Sequence, residues 1–271
     1  MRPATYLFVP GNRPERFAKA LSAGAGMIIL DLEDAVAPDD KAAAREAIRA
    51  WLGAGEAPLD RIAVRINDSA TAWYADDLAL VRDCAVGTVM LPKAEFAAQI
   101  DSLRAAIPQP PRVIALVESA RGINNVNQIA LAEGVERLAF GTLDYAADLG
   151  LSGQDIGLVF AHSQIAIASR CAELPPPIAG VTPSLDDPAR MEADFAFARA
   201  FGFGAKMCIH PRQVAVVERA ARPTDAEIEW AGRVITAARA GGVVSVDGKM
   251  VDRPVVLRAE DILARTAAPH Q

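Results

Sequence analysis

Short apolar runs recur along the chain at near-even spacing, and polar residues stand at the downstream ends of most of them. The runs are Tyr6–Pro10, Met27–Asp34, Ile62–Asn67, Thr88–Lys93, Val113–Glu118, Leu138–Asp144, Ile178–Val181 and Lys206–His210. The second opens on four consecutive apolar residues, as a strand covered on both faces does. Between most runs lies an amphipathic segment long enough for a helix. Eight such strand–helix units predict an α/β fold, the (β/α)8 or TIM barrel, whose active site lies at the C-terminal ends of the strands. Glu33, Asp34, Arg65, Asn67, Lys93, Glu118 and Asp144 then converge on one mouth.

Turn and cap signals set the boundaries. Pro10-Gly11-Asn12 reads as a turn, with Asn12 as N-cap and Pro14 near the first position of a helix through Phe17 and Leu21. Asp39 or Asp40 caps the next helix, which ends before Gly53. Tyr145–Asp155, with Gly150 and Gly153, reads as a long loop before a helix over Ile156–Glu173. Past the eighth run come helices near Gln213–Ala220 and Asp225–Ala240. Val243–Val246 and Lys249–Val251 then flank Asp247-Gly248, a hairpin signal. A hairpin there cannot join a closed barrel and needs another surface, such as that of a second subunit. The expected division is a barrel over 1–220 and a helix-and-hairpin extension over 221–271.

Composition narrows the function classes. The 271 residues are 52% hydrophobic and 23% charged, with a formal net charge of −6. An acidic chain without a basic run argues against nucleic acid or an anionic membrane as a partner. Its longest apolar stretches fall short of a bilayer span. The first strand begins too early to leave room for a signal peptide, so a cytoplasmic location is expected. Cys84, Cys171 and Cys208 are unspaced and odd in number, and read as reduced core cysteines. His162, His210 and His270 are too scattered for a zinc site.

Several residues can carry chemistry. Glu118 and Asp144, ending adjacent strands, repel each other unless they share a proton or hold a cation. Mg2+ is commonly held by two carboxylates with its remaining positions left to water and substrate; helix capping or an arginine partner is the competing account. Gly141 and Thr142 leave room for a substrate beside Asp144. Arg65, flanked by strand formers, needs its charge met. A substrate carboxylate or an enolate oxygen, or a salt bridge to Glu33 or Asp34, does so. Glu33 and Asp34 are candidates for ligand, base or partner of Arg65. Lys93 is a candidate substrate contact, with a Schiff-base role as the alternative. Asn12, Arg13, Arg16 and Lys19 make either a phosphate site at the first loop or a solvated basic face. Gly11 reads as a turn residue and Asp252 as an isolated surface acid.

Five segments carry a resemblance. Tyr6-Leu7-Phe8-Val9-Pro10-Gly11-Asn12-Arg13-Pro14-Glu15-Arg16, Leu30-Asp31-Leu32-Glu33-Asp34-Ala35-Val36, Val64-Arg65-Ile66-Asn67, Leu91-Pro92-Lys93 and Gly141-Thr142-Leu143-Asp144-Tyr145-Ala146-Ala147-Asp148-Leu149-Gly150 occur in that order. Together they resemble the citrate lyase beta subunit family, which includes malyl-CoA and citramalyl-CoA lyases within the wider HpcH/HpaI aldolase group. The resemblance implies Mg2+ on Glu118 and Asp144, with Arg65 at the substrate oxygens. It implies CoA phosphates held around Pro10–Lys19, and a trimer or hexamer whose C-terminal extension closes over a neighbour's site. Lys249-Met250-Val251-Asp252 resembles the family's segment with a catalytic aspartate. The implied reaction is retro-Claisen cleavage of a 3-hydroxyacyl-CoA to acetyl-CoA and a 2-oxo acid. A citrate lyase beta subunit acting with an acyl carrier protein, and a metal-dependent aldolase for free 2-oxo acids, are the alternatives. Leu143 stands where some members carry a second acid.

Overall fold

The computed structural model describes residues 3–55, 57–153, 155–240 and 245–266. The chain divides into two compact units, one over residues 2–217 and one from Glu218 onward. In the first, eight parallel strands close into a barrel: β1 (Thr5–Pro10), β2 (Met27–Asp31), β3 (Ile62–Arg65), β4 (Thr88–Leu91), β5 (Arg112–Val117), β6 (Val135–Phe140), β7 (Ile178–Ala179) and β8 (Ala205–Cys208). Each strand pairs with the next, and β1 returns to β8 through Thr5↔Lys206, Tyr6↔Met207 and Leu7↔Cys208. The connecting helices are α1 (Phe17–Ser22), α2 (Lys41–Gly53), α3 (Tyr74–Asp83), α4 (Ala97–Ala105), α5 (Ala120–Asn124), α6 (Val126–Leu131), α7 (Thr142–Leu149), α8 (Val159–Cys171) and α9 (Pro188–Ala200). After β8 comes α10 (Pro211–Ala221). No described helix is long and apolar enough to cross a membrane.

Strand side chains alternate in direction, so one parity of each strand fills the barrel. That filling is Tyr6, Met27, Ile29, Ala63, Met90, Ile114, Leu116, Ala139, Ile178, Ala205 and Met207, all buried. The same parity carried upward from Ile29, Ala63 and Leu116 reaches Asp31, Arg65 and Glu118. Alternation that packs the core therefore also aims these three charges at the mouth. At the opposite end, buried Arg137 donates to Pro176 O at 2.7 Å, Pro3 O at 2.9 Å and Tyr6 Oη at 3.0 Å. It joins the starts of β1, β6 and β7.

The second unit contains α11 (Asp225–Ala240), a hairpin of β9 (Ser245–Val246) and β10 (Lys249–Met250), and α12 (Arg253–Thr266). Asp247 and Gly248 have φ of 52° and 73°, the left-handed pair of a type I′ turn. Val243 and Val244 lie outside the described residues, as does His270. The hairpin has a surface in its own unit: Val246 and Val251 pack on Ala231, Val234, Ala259 and Ile262. The hairpin thus finds an apolar surface within its own unit, and α12, which the sequence reading did not anticipate, supplies half of it.

Other expectations shift. β2 stops at Asp31 and β3 at Arg65, leaving Glu33, Asp34 and Asn67 on the βα loops. Asp144 lies in the first turn of α7 rather than ending β6. Residues 145–149, expected as loop, are helical. Ala146, Ala147 and Leu149 are strong helix formers, and Gly150 ends the helix at φ 64°. Asn12 is not an N-cap; its amide donates to Asp40 Oδ2 at 3.1 Å, and Asp40 in turn makes no capping bond to α2. Of the three free cysteines only Cys208 is in the core; Cys84 is half-buried and Cys171 exposed.

Arg137→Met removes three donated hydrogen bonds at the base of the barrel. A loss of about 2–4 kcal/mol is expected in urea unfolding, whereas a midpoint unchanged from wild type would show that Arg137 is dispensable.

Candidate active site at the barrel mouth

Asp31 and Arg65 face each other in the β2–β3 register. Arg65 Nε donates to Asp31 Oδ1 at 2.7 Å and Nη2 to Oδ2 at 2.6 Å, a bidentate pair. Both groups are buried, at 8% and 1% exposure. The Phe8 ring lies 4.7 Å from the guanidinium carbon. Burial pushes the guanidinium pKa down, but Asp31 more than offsets this, with Glu33 and Asp34 adding to it, and the net shift is upward. Asp31 also accepts from the amides of Glu33 and Ala35 at 2.9 and 3.1 Å, so it shapes the loop that bears Glu33. The sequence reading missed Asp31, having placed it inside an apolar run. Its parity with Met27 and Ile29 was the available signal.

Glu33 is buried in that loop. Its Oε2 lies 2.9 Å from Arg65 Nη1 but off the donor axis, so it accepts no aligned hydrogen bond; Oε1 is 3.6 Å from Lys93 Nζ. Burial lifts its pKa to about 7 against the pull of Arg65, helped by Asp34 and Asp31. Asp34, two-thirds exposed, is 3.5 Å from Arg65 Nη1.

Glu118 follows β5 and is 5% exposed. Its Oε1 accepts from the Lys93 backbone amide at 2.7 Å, an approach made with Lys93 at φ 47°. Burial raises the Glu118 carboxyl to about 8, with Glu33 and Asp144 adding to the effect. Gly141 makes room for it: a Cβ there falls 2.5 Å from Glu118 Oε2. Asp144, exposed on the first turn of α7, is the second carboxylate. Thr142 begins that helix and packs against Gly180. Among the described residues no group of three or more His, Cys, Asp or Glu could hold a metal. The mouth thus offers two hard carboxylates beside open solvent, a donor set that fits Mg2+ keeping several other ligands. Lys93 has its pKa raised, because Glu33 and Asp68 outweigh desolvation. That is the wrong direction for a Schiff-base nucleophile.

Asn67 does not join the mouth. It is 1% exposed, its Oδ1 accepts from Lys41 Nζ at 2.7 Å and its Nδ2 donates to Asp77 Oδ2 at 2.6 Å. Both ends of its side-chain amide are engaged within the protein, as an internal tie between the loop after β3, α2 and α3. Lys41, Arg45 and Asp77 were missed. The signal was on α2, where Lys41 and Arg45 share the buried stripe of Ala44, Ile48 and Leu52.

Around the first loop, Gly11 is more than a turn residue. Its amide donates to Asp31 O at 2.8 Å, and a Cβ would meet the same oxygen at 2.8 Å. Pro10 ends β1, and Arg13, Arg16 and Lys19 are exposed beyond it; Arg16 Nε is 3.8 Å from Glu15. Asp252, in the other unit, caps α12 by accepting from Val255 N at 3.2 Å.

Comparison with known proteins places the chain among relatives of the same fold. A family model for HpcH/HpaI aldolase/citrate lyase matches residues 4–211. A citrate lyase subunit beta-like protein of Mycobacterium tuberculosis is 40% identical over 271 residues, covering 96% of this chain and 94% of that protein. A (3S)-malyl-CoA thioesterase of Cereibacter sphaeroides is 31% identical over 268 residues, covering 97% and 94%. The crystal structure of M. tuberculosis CitE in complex with magnesium, acetoacetate and coenzyme A superposes with a TM-score of 0.88 at 39% identity, covering 98% of both chains.

The raised Glu118 carboxyl makes a pH prediction for metal-free protein. The folded state keeps a proton up to about pH 8 that the unfolded chain, at its ordinary 4.5, has released. Stability from this group is therefore full below about pH 4.5 and is lost as pH rises through 8. With chelator present, Glu118→Gln should gain about 1–3 kcal/mol over wild type between pH 5 and pH 8. A pH-independent difference in urea midpoints would contradict it.

Proposed function

As a member of the HpcH/HpaI aldolase/citrate lyase family, the chain is, we propose, a Mg2+-dependent carbon–carbon lyase for a 3-hydroxyacyl-CoA of the malyl-CoA or citramalyl-CoA type, releasing acetyl-CoA and a 2-oxo acid. The observation that carries the reading is the pair Glu118 and Asp144 beside a buried, carboxylate-held Arg65 at the barrel mouth. Glu118 and Asp144 would hold the cation. When bound, Mg2+ supplies Lewis-acid polarisation of the substrate's oxygens.

The chain's own residues supply the rest. Asp31 holds the Nε–Nη2 edge of the Arg65 guanidinium, leaving Nη1 directed at Glu33 and Asp34. A substrate oxygen reaching Nη1 displaces an unaligned contact with Glu33 rather than a good hydrogen bond. Arg65 then stabilises charge that moves onto the thioester oxygen as the carbon–carbon bond breaks. Glu33, held at about 7, can take the hydroxyl proton in cleavage and return it in condensation. Lys93 keeps its charge beside Glu33 as a further contact for substrate oxygens. Thr142 and the small Gly141 border the space next to the metal ligands. Arg13, Arg16 and Lys19, with Pro10–Asn12, form the exposed basic edge for the CoA phosphates. Asp252 would deliver the proton to the enolate carbon from a neighbouring subunit of a trimer or hexamer. The resemblance of its segment supports this role.

A second reading keeps the substrate and changes the bond. The likeness to a protein named (3S)-malyl-CoA thioesterase favours hydrolysis of the thioester. Products separate the two: acetyl-CoA with a 2-oxo acid marks the lyase, and free CoA with the hydroxy acid marks the hydrolase. An acyl-carrier-bound substrate would show as activity only when a carrier is added.

Assayed on malyl-CoA and citramalyl-CoA, the protein should release a 2-oxo acid with Mg2+ and none with excess chelator. Glu118→Ala should lose at least about 100-fold in kcat/KM. Arg65→Lys should lose about 10–100-fold, because ammonium cannot reproduce the fork held by Asp31. Unchanged turnover in Glu118→Ala ends the proposal.

A further inference from the structure

The inner face of α2 buries two cations one turn apart, Lys41 at 5% exposure and Arg45 at 8%. Lys41 Nζ donates all three of its protons, to Leu32 O, Glu33 O and Asn67 Oδ1, each at 2.7 Å. Two of these acceptors lie on the loop after β2 and the third on the loop after β3. The Trp73 ring lies 5.0 Å from the same nitrogen. Asn67 is anchored in turn, its backbone and side-chain amides both donating to Asp77 Oδ2, at 2.7 and 2.6 Å. Asp77, fully buried at the inner face of α3, takes Arg45 Nη1 on its other oxygen at 3.0 Å. Every side-chain polar atom of Lys41, Asn67 and Asp77 is engaged, and the last members of this chain of contacts are the loops that carry Glu33 and follow Arg65.

We propose that Lys41, acting with Asn67 and Asp77, is a positioning residue that sets the separation of Glu33 and Arg65 by tying the β2 and β3 loops to one ammonium. The inference rests on the lyase reading above. An ammonium suits the task because its three protons point to three converging oxygens, whereas a planar guanidinium cannot cap them together. Fold stability alone does not call for it, since well-packed apolar side chains commonly replace buried charges at no cost in stability. The tie acts at the residue that matters: one of the carbonyls it holds belongs to Glu33, whose carboxylate stands 2.9 Å from Arg65. With all its protons committed, Lys41 is neither a proton donor to substrate nor a nucleophile.

The test compares Lys41→Met, Asn67→Ala, Arg65→Lys and the Lys41→Met/Arg65→Lys double variant, using whichever of malyl-CoA and citramalyl-CoA the wild type cleaves. Lys41→Met should lower kcat about 10–100-fold and leave KM within about threefold, because the basic edge that meets CoA is untouched. In the double variant the Lys41 change should cost less than about twofold beyond Arg65→Lys, since both act through one guanidinium. Amide exchange at residues 32–36 should quicken in Lys41→Met while that of β5 and β6 stays at the wild-type rate. Near wild-type kcat in Lys41→Met, or costs that multiply in the double variant, overturn the proposal. Should Lys41→Met fail to fold, Asn67→Ala, which keeps the ammonium and its two carbonyls, carries the same kcat, KM and exchange comparison. A wild type inactive on both esters counts against the lyase reading alone; unchanged exchange at residues 32–36 in that protein still overturns the tie.

Discussion

The mouth of this barrel depends on one bidentate contact, Arg65 with Asp31. A guanidinium at the end of a buried strand is tolerable only with its charge met at close range, and Asp31 meets it with two hydrogen bonds of 2.7 and 2.6 Å. The same carboxylate takes two loop amides, so one residue both neutralises the arginine and bends the chain that carries Glu33. Gly11 completes the arrangement from β1 by bringing its amide against the Asp31 carbonyl. Three successive strands are thereby joined at the point where substrate would arrive.

Acids crowd this point. Glu33 and Glu118 are both buried, and desolvation is the largest cause of the upward shift in each. Each also raises or is raised by a neighbouring carboxylate, so the folded mouth holds protons near neutral pH that an open chain releases. Such a site is less stable than a neutral one of the same shape, and a cation at the carboxylates would relieve the strain by taking the place of those protons. The opposite end of the barrel has no such tension. Arg137 there meets three neutral acceptors and joins strand starts, in keeping with the division of labour between the two faces of such barrels.

The spacing of apolar runs was enough to read eight strands in order, because parallel barrel strands are covered on both faces and show as continuous apolar blocks. It was also enough to place Glu118 and Arg65, since strand parity is a local property. It failed where polar atoms pair across loops distant in sequence. Asn67 looked available because nothing in its own segment names Asp77 or Lys41 as its partners. Asp31 was hidden by its apolar neighbours, and Lys41 by the convention that a lysine on a helix faces water. Asp144 moved off β6 because α7 begins at Thr142, directly after Gly141. That shift by a few residues still leaves its charge within reach of Glu118, whose pKa it raises.

Asp252 shows where sequence likeness and local geometry make different demands on one side chain. As the first residue before α12 its carboxylate accepts from Val255 N, an ordinary capping bond that stabilises a helix by about 1 kcal/mol. A proton-delivering role requires the same carboxylate to be free for part of the catalytic cycle. The two demands are compatible because the cap is weak and solvent-exposed: releasing it costs little against the several kcal/mol that a positioned acid contributes to a proton transfer. The Asp247-Gly248 turn and the cluster beneath Val246 and Val251 fix the backbone leading to Asp252, so the cap can open without the segment losing its place. The proposed proton delivery would therefore have to break only this one exposed bond, at a residue that follows a hairpin packed on the helices of its own unit.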